Sequence, residues 1–399
     1  MVILNDTIVA VATPSGIGAI GVIRISGSRT FEIIEKLLRK SIQDQQSHSI
    51  VLRELFDEEG IIDEVLFGQV LQAGCGQNPA RQAAIKAGIP NTKPAHLINQ
   101  VCGSGLRSII SGFQQIILND ANIVVSGGQE NMSRSHHSLF FRIDKKLNKE
   151  NLIDNMINDG LIDAFNRYHM GITAENVAQK FNITRDQQDE FAYNSQIKTT
   201  KAIKEKKFQD EIIQIKNCNL IEDEYPRKDI NIDDLKKLDP VFKDNGTVTS
   251  GNSSGLNDGA ASVVLMKRKD AESKGIEPMA KIKSWSNTGV DPSIMGIGPV
   301  SAIKLAIKKA NWEIKEVELF EINEAFAAQS IAVVNELQLP KDKVNVNGGA
   351  ISLGHPIGAS GTRIVVTLLH EMKRRDYKKG IASLCIGGGM GIALCLERD

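Results

Sequence analysis

The sequence lacks the features that would place it in several large classes of protein. Its five cysteines are too widely spaced for a disulfide framework or a C-x-x-C metal site, which indicates a reducing, cytoplasmic setting. Lysine plus arginine and aspartate plus glutamate balance at 48 each, so no net charge indicates a nucleic acid or an anionic membrane as a partner. The cysteines are Cys75, Cys102, Cys218, Cys385 and Cys395.

Long apolar runs and a phosphate-binding loop are also absent. No apolar run could span a bilayer, and Asp6 and Arg24 interrupt the N-terminal one, so we expect neither a membrane segment nor a secretory signal. Without a G-x-x-x-x-G-K-[ST] loop, GTPase activity is not expected. Residues 16–21 match G-x-G-x-x-G, but a β-branched run follows where a phosphate-binding helix should begin. We therefore discount a dinucleotide site.

At Cys102 the sequence changes from an apolar segment to a helical pattern. Gly103 and Gly105 follow the cysteine, and apolar residues then recur at steps of three or four from Leu106 to Ile117. The pattern predicts that Cys102 lies at the first turn of a buried helix, where free N–H groups and the helix dipole favour a thiolate. A nucleophile fits this position, and on this stretch alone a packed core cysteine fits equally well.

Strand-like and helical segments alternate along most of the 399 residues, which predicts an α/β fold with a buried sheet. Two α/β halves of similar order suggest a duplicated architecture, and residues 133–247 form a polar excursion from the sheet. In that excursion we expect a helix from Leu152 to Phe165, then a helix behind a Thr184–Gln187 capping box with a solvated, lysine-rich end. The other predicted elements are strands at Ile123–Ser126, Ala261–Met266, Leu319–Ile322, Val344–Val346, Ile381–Cys385 and Gly391–Leu396, and helices at Ala80–Ala87, Val300–Ala310, Glu324–Leu337 and Ser360–Lys373.

Three reactive or polar side chains follow predicted strands in the second half. His355 lies in a loop crowded with glycines, where the backbone must approach another group closely, and this favours a functional role. Cys385 ends a buried strand before Gly387–Gly389, and Asn323 lies at a strand-to-helix switch. The alternatives are a structural histidine, a packed cysteine (our interpretation of Cys395) and a helix cap.

Seven segments carry a family resemblance: NQVCGSGLRSI, GGQENMS, YHMGITAENVA, GTVTSGNSSGLNDGAA, EINEAFA, NVNGGAISLGHPIGASG and SLCIGGGMGIALCLER. They resemble, in order, the active-site segments of the thiolase family, and more narrowly those of its biosynthetic acetyl-CoA acetyltransferases. The resemblance runs from about residue 67 to the C-terminus. It implies a duplicated five-layer α-β-α-β-α core with an inserted loop domain.

The resemblance also implies a role for each reactive residue. Cys102 corresponds to the nucleophile that takes the acyl group from coenzyme A as a thioester, and His355 to the base that activates it. Cys385 corresponds to a second acid/base, and Asn323 to the residue that holds the enolate oxygen through a water and with His355. The backbone N–H groups of Cys102 and Gly387 correspond to the hole for the tetrahedral intermediate. No metal or organic cofactor is implied, because the thioester itself acidifies the α-carbon.

The implied substrates are acetyl-CoA and acetoacetyl-CoA, held in a small acyl pocket, and the implied assembly is a homo-oligomer, either a dimer or a tetramer. A longer-chain 3-ketoacyl-CoA thiolase is the close alternative. A condensing synthase of the same superfamily fits less well, because such enzymes have histidine where Cys385 lies. By the same resemblance, coenzyme A contacts His169, Met170 and Ser254 with its pantetheine, Arg227 near its nucleotide end, and Ala325 and Phe326 along a tunnel.

The first 66 residues depart from the family. NDTIVAVATPSGIGAIGVIRISG, TFEIIEKLL and DEEGIIDEVL resemble the N-terminal folate-binding domain of the tRNA uridine-modifying GTPases, which suggests a fused gene. We therefore expect an unrelated α+β fragment at 1–66, a thiolase N-terminal half at 67–270 that includes a loop domain at 133–247, and a C-terminal half at 271–399. The family's opening strand belongs beside the one leading to Cys102, so its replacement predicts weaker folding. An impaired chimera, whose fragment binds folate or a GTPase partner, is the alternative.

Overall fold

The computed structural model describes residues 62–140, 152–213, 215, 220 and 222–399, together with the backbones of three short strands nearer the N-terminus. These strands are β1 (Thr7–Ile8), β2 (Gly18–Gly21) and β3 (Arg24–Ile25). The rest of the predicted N-terminal fragment, and Cys218, lie outside the described residues.

Ten further strands lie in the described residues: β4 (Glu64–Gly68), β5 (Ala95–Ile98), β6 (Ile123–Glu130), β7 (His137–Ser138), β8 (Ile153–Asp154), β9 (Gly259–Lys267), β10 (Ala280–Gly289), β11 (Leu319–Ile322), β12 (Lys379–Ile386) and β13 (Met390–Glu397). Eight of these strands and β2 form one nine-stranded mixed sheet in the order β11-β12-β13-β10-β2-β9-β6-β4-β5. The neighbours β4 and β5, β4 and β6, and β11 and β12 run parallel. Strand β2 pairs with both β9 and β10 and thereby joins the two halves.

The helices of the described residues are α1 (Pro79–Lys86), α2 (Ser104–Leu118), α3 (Met170–Lys180), α4 (Arg185–Lys204), α5 (Ile232–Lys236), α6 (Arg268–Ser273), α7 (Gly298–Ala310), α8 (Ala327–Glu336), α9 (Ala350–Leu353) and α10 (Ser360–Arg375). Helix α4 begins with the predicted capping box, in which the Thr184 hydroxyl accepts from the Gln187 N–H and the Gln187 side chain accepts from the Thr184 N–H. No helix in these described ranges is long and apolar enough to cross a membrane.

The largest apolar cluster lies between the two halves of the sheet. It joins Leu106 and Phe113 of α2 and Leu368 of α10 to Leu265 of one half and Leu394 of the other. Burying a side chain of this size contributes about 1.5–3 kcal/mol. A second cluster packs α1 on the outer face of the first half, and a third packs α7 and α8 on the outer face of the second half. This arrangement confirms the predicted α/β fold with α-β-α-β-α layers.

The predicted helix from Leu152 to Phe165 is wrong. Strand β8 pairs there with β7, and a single π-helical turn follows at Met156–Leu161. Asp154 Oδ1 accepts from the Met156 N–H at 2.9 Å, and Asp163 Oδ1 accepts from the Asn166 N–H at 2.6 Å. Side-chain acceptors of this kind stabilise local turns in competition with an α-helix.

Two further predictions about single elements also differ from the structure. Val344–Val346 is not a strand, because Asn345 adopts a φ of +44° and only an isolated bridge joins Val344 to Phe320. The lysine-rich end of α4 is not wholly solvated, since Lys198 Nζ donates to the Val344 carbonyl at 3.0 Å.

The strand that leads to Cys102 is β5, at one edge of the sheet beside β4. We expected the N-terminal strand to lie beside β5. The N-terminal strand β2 lies instead between β9 and β10. The helix predicted from Glu324 begins at Ala327.

Candidate active site

Cys102 lies on a strained turn between β5 and α2. The preceding Val101 has a φ of +45°, a region that a β-branched residue rarely adopts and that costs about 1–3 kcal/mol. The turn is fixed because the Val101 N–H donates to Asn99 Oδ1 at 3.0 Å and the Gly103 N–H donates to the Gln100 carbonyl at 3.0 Å. Strain of this kind clusters at functional sites, and here it sets the direction of the thiol.

A second turn, after β12, packs against the Cys102 turn. A Cβ on Gly103 would overlap Ile386 Cδ1, so the two turns pack closely. The Gly387 N–H lies near the Cys102 sulfur and favours its thiolate form. Burial raises the pKa of that thiol to about 11, and the N–H groups of Gly387 and of Cys102 itself oppose the rise. The two backbone donors predicted for an oxyanion hole therefore both act on the sulfur of Cys102.

His355 is held as a neutral imidazole with a defined tautomer. The Ser360 hydroxyl donates to the Pro356 carbonyl at 2.9 Å, so it accepts from His355 Nδ1–H, whose nitrogen lies 2.6 Å from Ser360 Oγ. Nε2 then carries the lone pair and accepts from Asn323 Nδ2 at 3.3 Å. Burial lowers the pKa of His355 to about 3, with a smaller contribution from the charge of Arg363. His355 is thus unprotonated at Nε2 in the resting site, and its lone pair is the proton acceptor there.

Asn323 follows β11 and turns its amide toward His355. Its backbone N–H donates to the Ser383 carbonyl at 3.0 Å, which continues the pairing of β11 with β12. Its Oδ1 is buried and has no hydrogen-bond partner among the described residues. A buried amide oxygen of this kind is able to accept from a bound water.

The neighbouring Glu324 ties Asn323 to the histidine loop and to α4. Its Oε2 accepts from Ser195 Oγ at 2.7 Å, and its Oε1 accepts from Asn345 Nδ2 at 2.9 Å. The Ile351 N–H also donates to Oε2, at 3.3 Å. The carboxylate is buried and is satisfied by these donors, so it holds the loop that carries His355 against the excursion.

Cys385 lies at the end of β12 beside Cys102. Burial raises the pKa of its thiol strongly, and the proximity of Cys102 raises it further, because two thiolates at one place repel each other. Cys385 shares an apolar cluster with Met170, Ala325 and Phe326. The structure therefore brings the second thiol, the first thiol and three predicted substrate-binding residues together.

His169 and two phenylalanines form an aromatic wall on the same side. The His169 Nδ1 accepts from the Gly171 N–H at 3.0 Å, and its ring stacks on Phe242 with centroids 4.5 Å apart. Phe242 in turn meets Phe326 edge-on at 6.4 Å. Burial lowers the pKa of His169, so this histidine is neutral too.

The last two predicted residues lie farther out. Ser254 is half-buried, and its N–H donates to the Ala325 carbonyl at 3.0 Å, which places it next to the tunnel residues. Arg227 is exposed. Its contacts are a backbone N–H donated to Gln196 Oε1 at 2.9 Å and a guanidinium 3.5 Å from the Ser250 carbonyl. The structure therefore does not bring Arg227 together with the catalytic set.

Sequence reasoning missed Ser360, Glu324 and Phe242. Ser360 and Glu324 each lie in a segment that carries the resemblance, so proximity to His355 and Asn323 in sequence was an available signal. Phe242 stands alone in a polar segment and offered none. For metals, the described ranges contain no group of three or more histidine, cysteine or acidic side chains able to hold an ion.

Comparison with known proteins agrees with this geometry. An "Acetyl-CoA acetyltransferase" of Rhizobium meliloti is 54% identical over 354 residues, which cover 87% of this chain and 90% of that protein. A crystal structure of the Bacillus anthracis acetyl-CoA acetyltransferase has a TM-score of 0.82 and 39% identity, over 98% of this chain and 100% of that one. A crystal structure of human mitochondrial 3-ketoacyl-CoA thiolase in complex with CoA has a TM-score of 0.81 and 41% identity, over 85% of this chain and 87% of that one.

The sequence models of the two thiolase domains cover nearly all of the chain. The N-terminal domain of thiolase matches residues 25–269, and the C-terminal domain matches residues 276–398. Together with the relatives above, these matches establish that the chain belongs to the thiolase family.

Proposed function

We propose that the chain is an acetyl-CoA C-acetyltransferase, which condenses two acetyl-CoA into acetoacetyl-CoA and free coenzyme A and catalyses the reverse thiolysis. The observation that carries this proposal is the meeting of two buried thiols and two backbone donors, beside the loop of the neutral His355 imidazole, whose Ile357 packs in the Cys102 cluster. Relatives with this activity in their names, at up to 54% identity, support it.

In the first half-reaction, Cys102 attacks the carbonyl carbon of acetyl-CoA. His355 Nε2 accepts the thiol proton, which is needed because burial raises the pKa of Cys102 to about 11. The N–H groups of Cys102 and Gly387 stabilise the oxyanion, a contribution that is typically about 2.7–4 kcal/mol for a single donor. The C–S bond to coenzyme A then breaks, and Cys385 donates its proton to the leaving thiolate.

In the second half-reaction, the Cys385 thiolate removes the α-proton of a second acetyl-CoA. The enolate oxygen is held by His355 and by a water on Asn323, whose Oδ1 is buried and available. The enolate carbon attacks the acetyl carbon, and the Cys102 thiolate leaves. This chemistry needs no metal or organic cofactor, because the thioester stabilises the carbanion.

Coenzyme A lies along the aromatic wall in this proposal. The pantetheine passes His169, Met170 and Ser254, and Phe242 extends the apolar surface that Ala325 and Phe326 provide. Arg227, exposed beyond the wall, interacts with the nucleotide end.

A longer-chain 3-ketoacyl-CoA thiolase is the second candidate, favoured by the likeness to the human enzyme of that name. A series of 3-ketoacyl-CoA substrates of increasing chain length separates the two. We expect kcat/KM to be highest for acetoacetyl-CoA, and a preference for longer chains would select the second candidate.

For residues 3–66 we propose an origin in the folate-binding domain of a tRNA-modifying GTPase. The thiolase resemblance overlaps this segment from residue 25 onward. We retain the division at residues 66 and 270. Binding of tetrahydrofolate to the full chain, measured by calorimetry, tests the fragment. Binding without any thiolysis would favour the impaired chimera.

We further propose that the enzyme works in the cytoplasm as a homo-oligomer, a dimer or a tetramer, without nucleic acid or membrane partners. Among the described residues, β5 has a sheet neighbour on one side only, so its other edge is able to pair with a second copy. Light scattering of the purified chain measures the assembly, and a monomeric mass would contradict this part.

Thiolysis of acetoacetyl-CoA by coenzyme A tests the function directly. We expect turnover by the wild-type chain and none by Cys102→Ser. Cys75→Ser is the matched control, because Cys75 is a half-buried thiol whose sulfur contacts are with Gln69, Leu71 and Ala73. A folded wild-type chain with no more thiolysis than Cys102→Ser would refute the proposed function.

A further inference from the structure

Glu130, the last residue of β6, is a buried carboxylate that the proposed mechanism does not use. Its side chain is 4% exposed. Oε2 accepts from the Val70 N–H at 3.0 Å and from the Gly358 N–H at 2.9 Å, and Oε1 accepts from the Leu71 N–H at 3.1 Å. Both oxygens act only as acceptors, the pattern of an ionised carboxylate. Burial raises the pKa of Glu130, and these N–H groups oppose the rise.

These three donors come from two separate parts of the chain. Val70 and Leu71 follow β4, whereas Gly358 lies three residues after His355. The approach is close, because a Cβ on Gly358 would lie 2.7 Å from Glu130 Oε2. Glu130 therefore fixes the segment after β4 to the histidine loop.

The segments that Glu130 joins also surround the nucleophile. Cys102 forms one apolar cluster with Val70, Leu71 and Ile357, the residue before Gly358. A shift of either segment would change the position of His355 relative to the apolar residues that surround the Cys102 thiol. Misplacement by about 1 Å costs on the order of 100-fold in rate.

Glu130 also places a negative charge near Cys102. This charge raises the pKa of the thiol, after burial, which is the larger cause. The other titratable neighbours are uncharged at rest, since His355 is a neutral imidazole and Cys385 a neutral thiol. A carboxylate that disfavours the thiolate does not assist the nucleophile electrostatically, so its benefit has to lie in geometry.

We propose that Glu130 is a positioning residue: its carboxylate clamps the main chain of residues 70–71 to Gly358 and so fixes Cys102 and His355 relative to each other. This inference rests on the proposed function. In the resting enzyme, burial keeps Cys102 as a thiol, and the charge of Glu130 adds to this effect on its pKa.

Three variants separate the clamp from the charge. Glu130→Gln removes the charge and places an NH2 group, which cannot accept, opposite at least one of the backbone N–H donors. Glu130→Asp keeps the charge but is one methylene too short to reach both segments. Glu175→Gln is the matched control, because Glu175 is equally buried and accepts from the N–H groups of Thr247 and Val248, which belong to neither segment that Glu130 joins.

Two measurements are made on each full-length variant. The first is kcat and KM for acetoacetyl-CoA thiolysis. The second is the pH profile of iodoacetamide alkylation at Cys102, read by peptide mass spectrometry without any substrate. We expect both Glu130 variants to lower kcat by about 10- to 100-fold with little change in KM. We expect Glu130→Gln to move the alkylation midpoint to lower pH, whereas Glu130→Asp and Glu175→Gln leave it near the wild-type midpoint.

A Glu130→Gln enzyme with wild-type kcat would overturn the clamp, and an alkylation midpoint unchanged from wild type would overturn the placement of the charge. Equal losses of Tm in Glu130→Gln and Glu175→Gln leave both tests valid, because a general loss of stability does not move the midpoint. An inactive wild-type chain would refute the proposed function instead, and the alkylation profile would still decide the charge of Glu130.

Discussion

Ser360→Ala removes the group that fixes the tautomer of His355. The hydroxyl lies 2.6 Å from Nδ1 and is held by the Pro356 carbonyl, so nothing else in that contact accepts the Nδ1 proton. Without Ser360 Oγ, the imidazole either buries an unsatisfied N–H or shifts its proton to Nε2. The second outcome removes the lone pair with which His355 accepts the thiol proton.

The size of the loss in activity follows from the burial of the His355 Nδ1–H. An unsatisfied buried donor costs about 1–3 kcal/mol, which corresponds to about a 5- to 150-fold loss in kcat/KM for thiolysis. We expect the loss in kcat, with KM little changed, because Ser360 lies behind His355 and not along the aromatic wall.

The assay is thiolysis of acetoacetyl-CoA at saturating coenzyme A, with Ser284→Ala as the control. Ser284 is also buried and donates to a helix carbonyl, that of Ala306, at 2.6 Å, but on the outer face of the sheet. Should Ser360→Ala retain kcat/KM within twofold of wild type, or lose no more than Ser284→Ala, the tautomer argument is wrong.

Two further predictions concern neighbouring residues. Asn323→Ala should slow condensation by about 100-fold while acetylation of Cys102 changes much less, because the enolate loses the water that Asn323 Oδ1 holds. Rapid-quench measurement of both steps checks this, and equal losses would contradict it. Glu321→Gln should raise Tm more at pH 9 than at pH 6. Burial raises the pKa of Glu321 to about 8, so the folded chain holds a proton that the unfolded chain loses, and stability falls as pH rises toward 8. Thermal denaturation at both pH values measures this, and an equal change in Tm would count against a buried protonated Glu321.

The sequence predicts the reactive residues of the site better than the residues that hold them in place. Cys102, His355, Cys385 and Asn323 each follow a strand or lie in a glycine-rich loop, and such local signals are visible in one dimension. The strand Leu319–Ile322 has the predicted bounds for the same reason, since it is a short and mostly apolar run whose four residues are all buried.

Features that depend on distant contacts could not be predicted in this way. Glu130 contacts Gly358 across 228 positions of the chain, and Phe242 meets His169 only after the excursion has folded. The helix expected at Leu152–Phe165 fails because Asp154 and Asp163 satisfy local N–H groups, a competition that apolar spacing does not reveal.

The central claim is that Cys102 carries the acyl group. Incubation of the wild-type chain with acetyl-CoA, acid quenching and peptide mass spectrometry locates the acetyl group. We predict one acetyl thioester on the peptide with Cys102 and none on those with Cys75, Cys385 or Cys395. An acetyl group on another cysteine, or turnover in Cys102→Ser, would contradict the account.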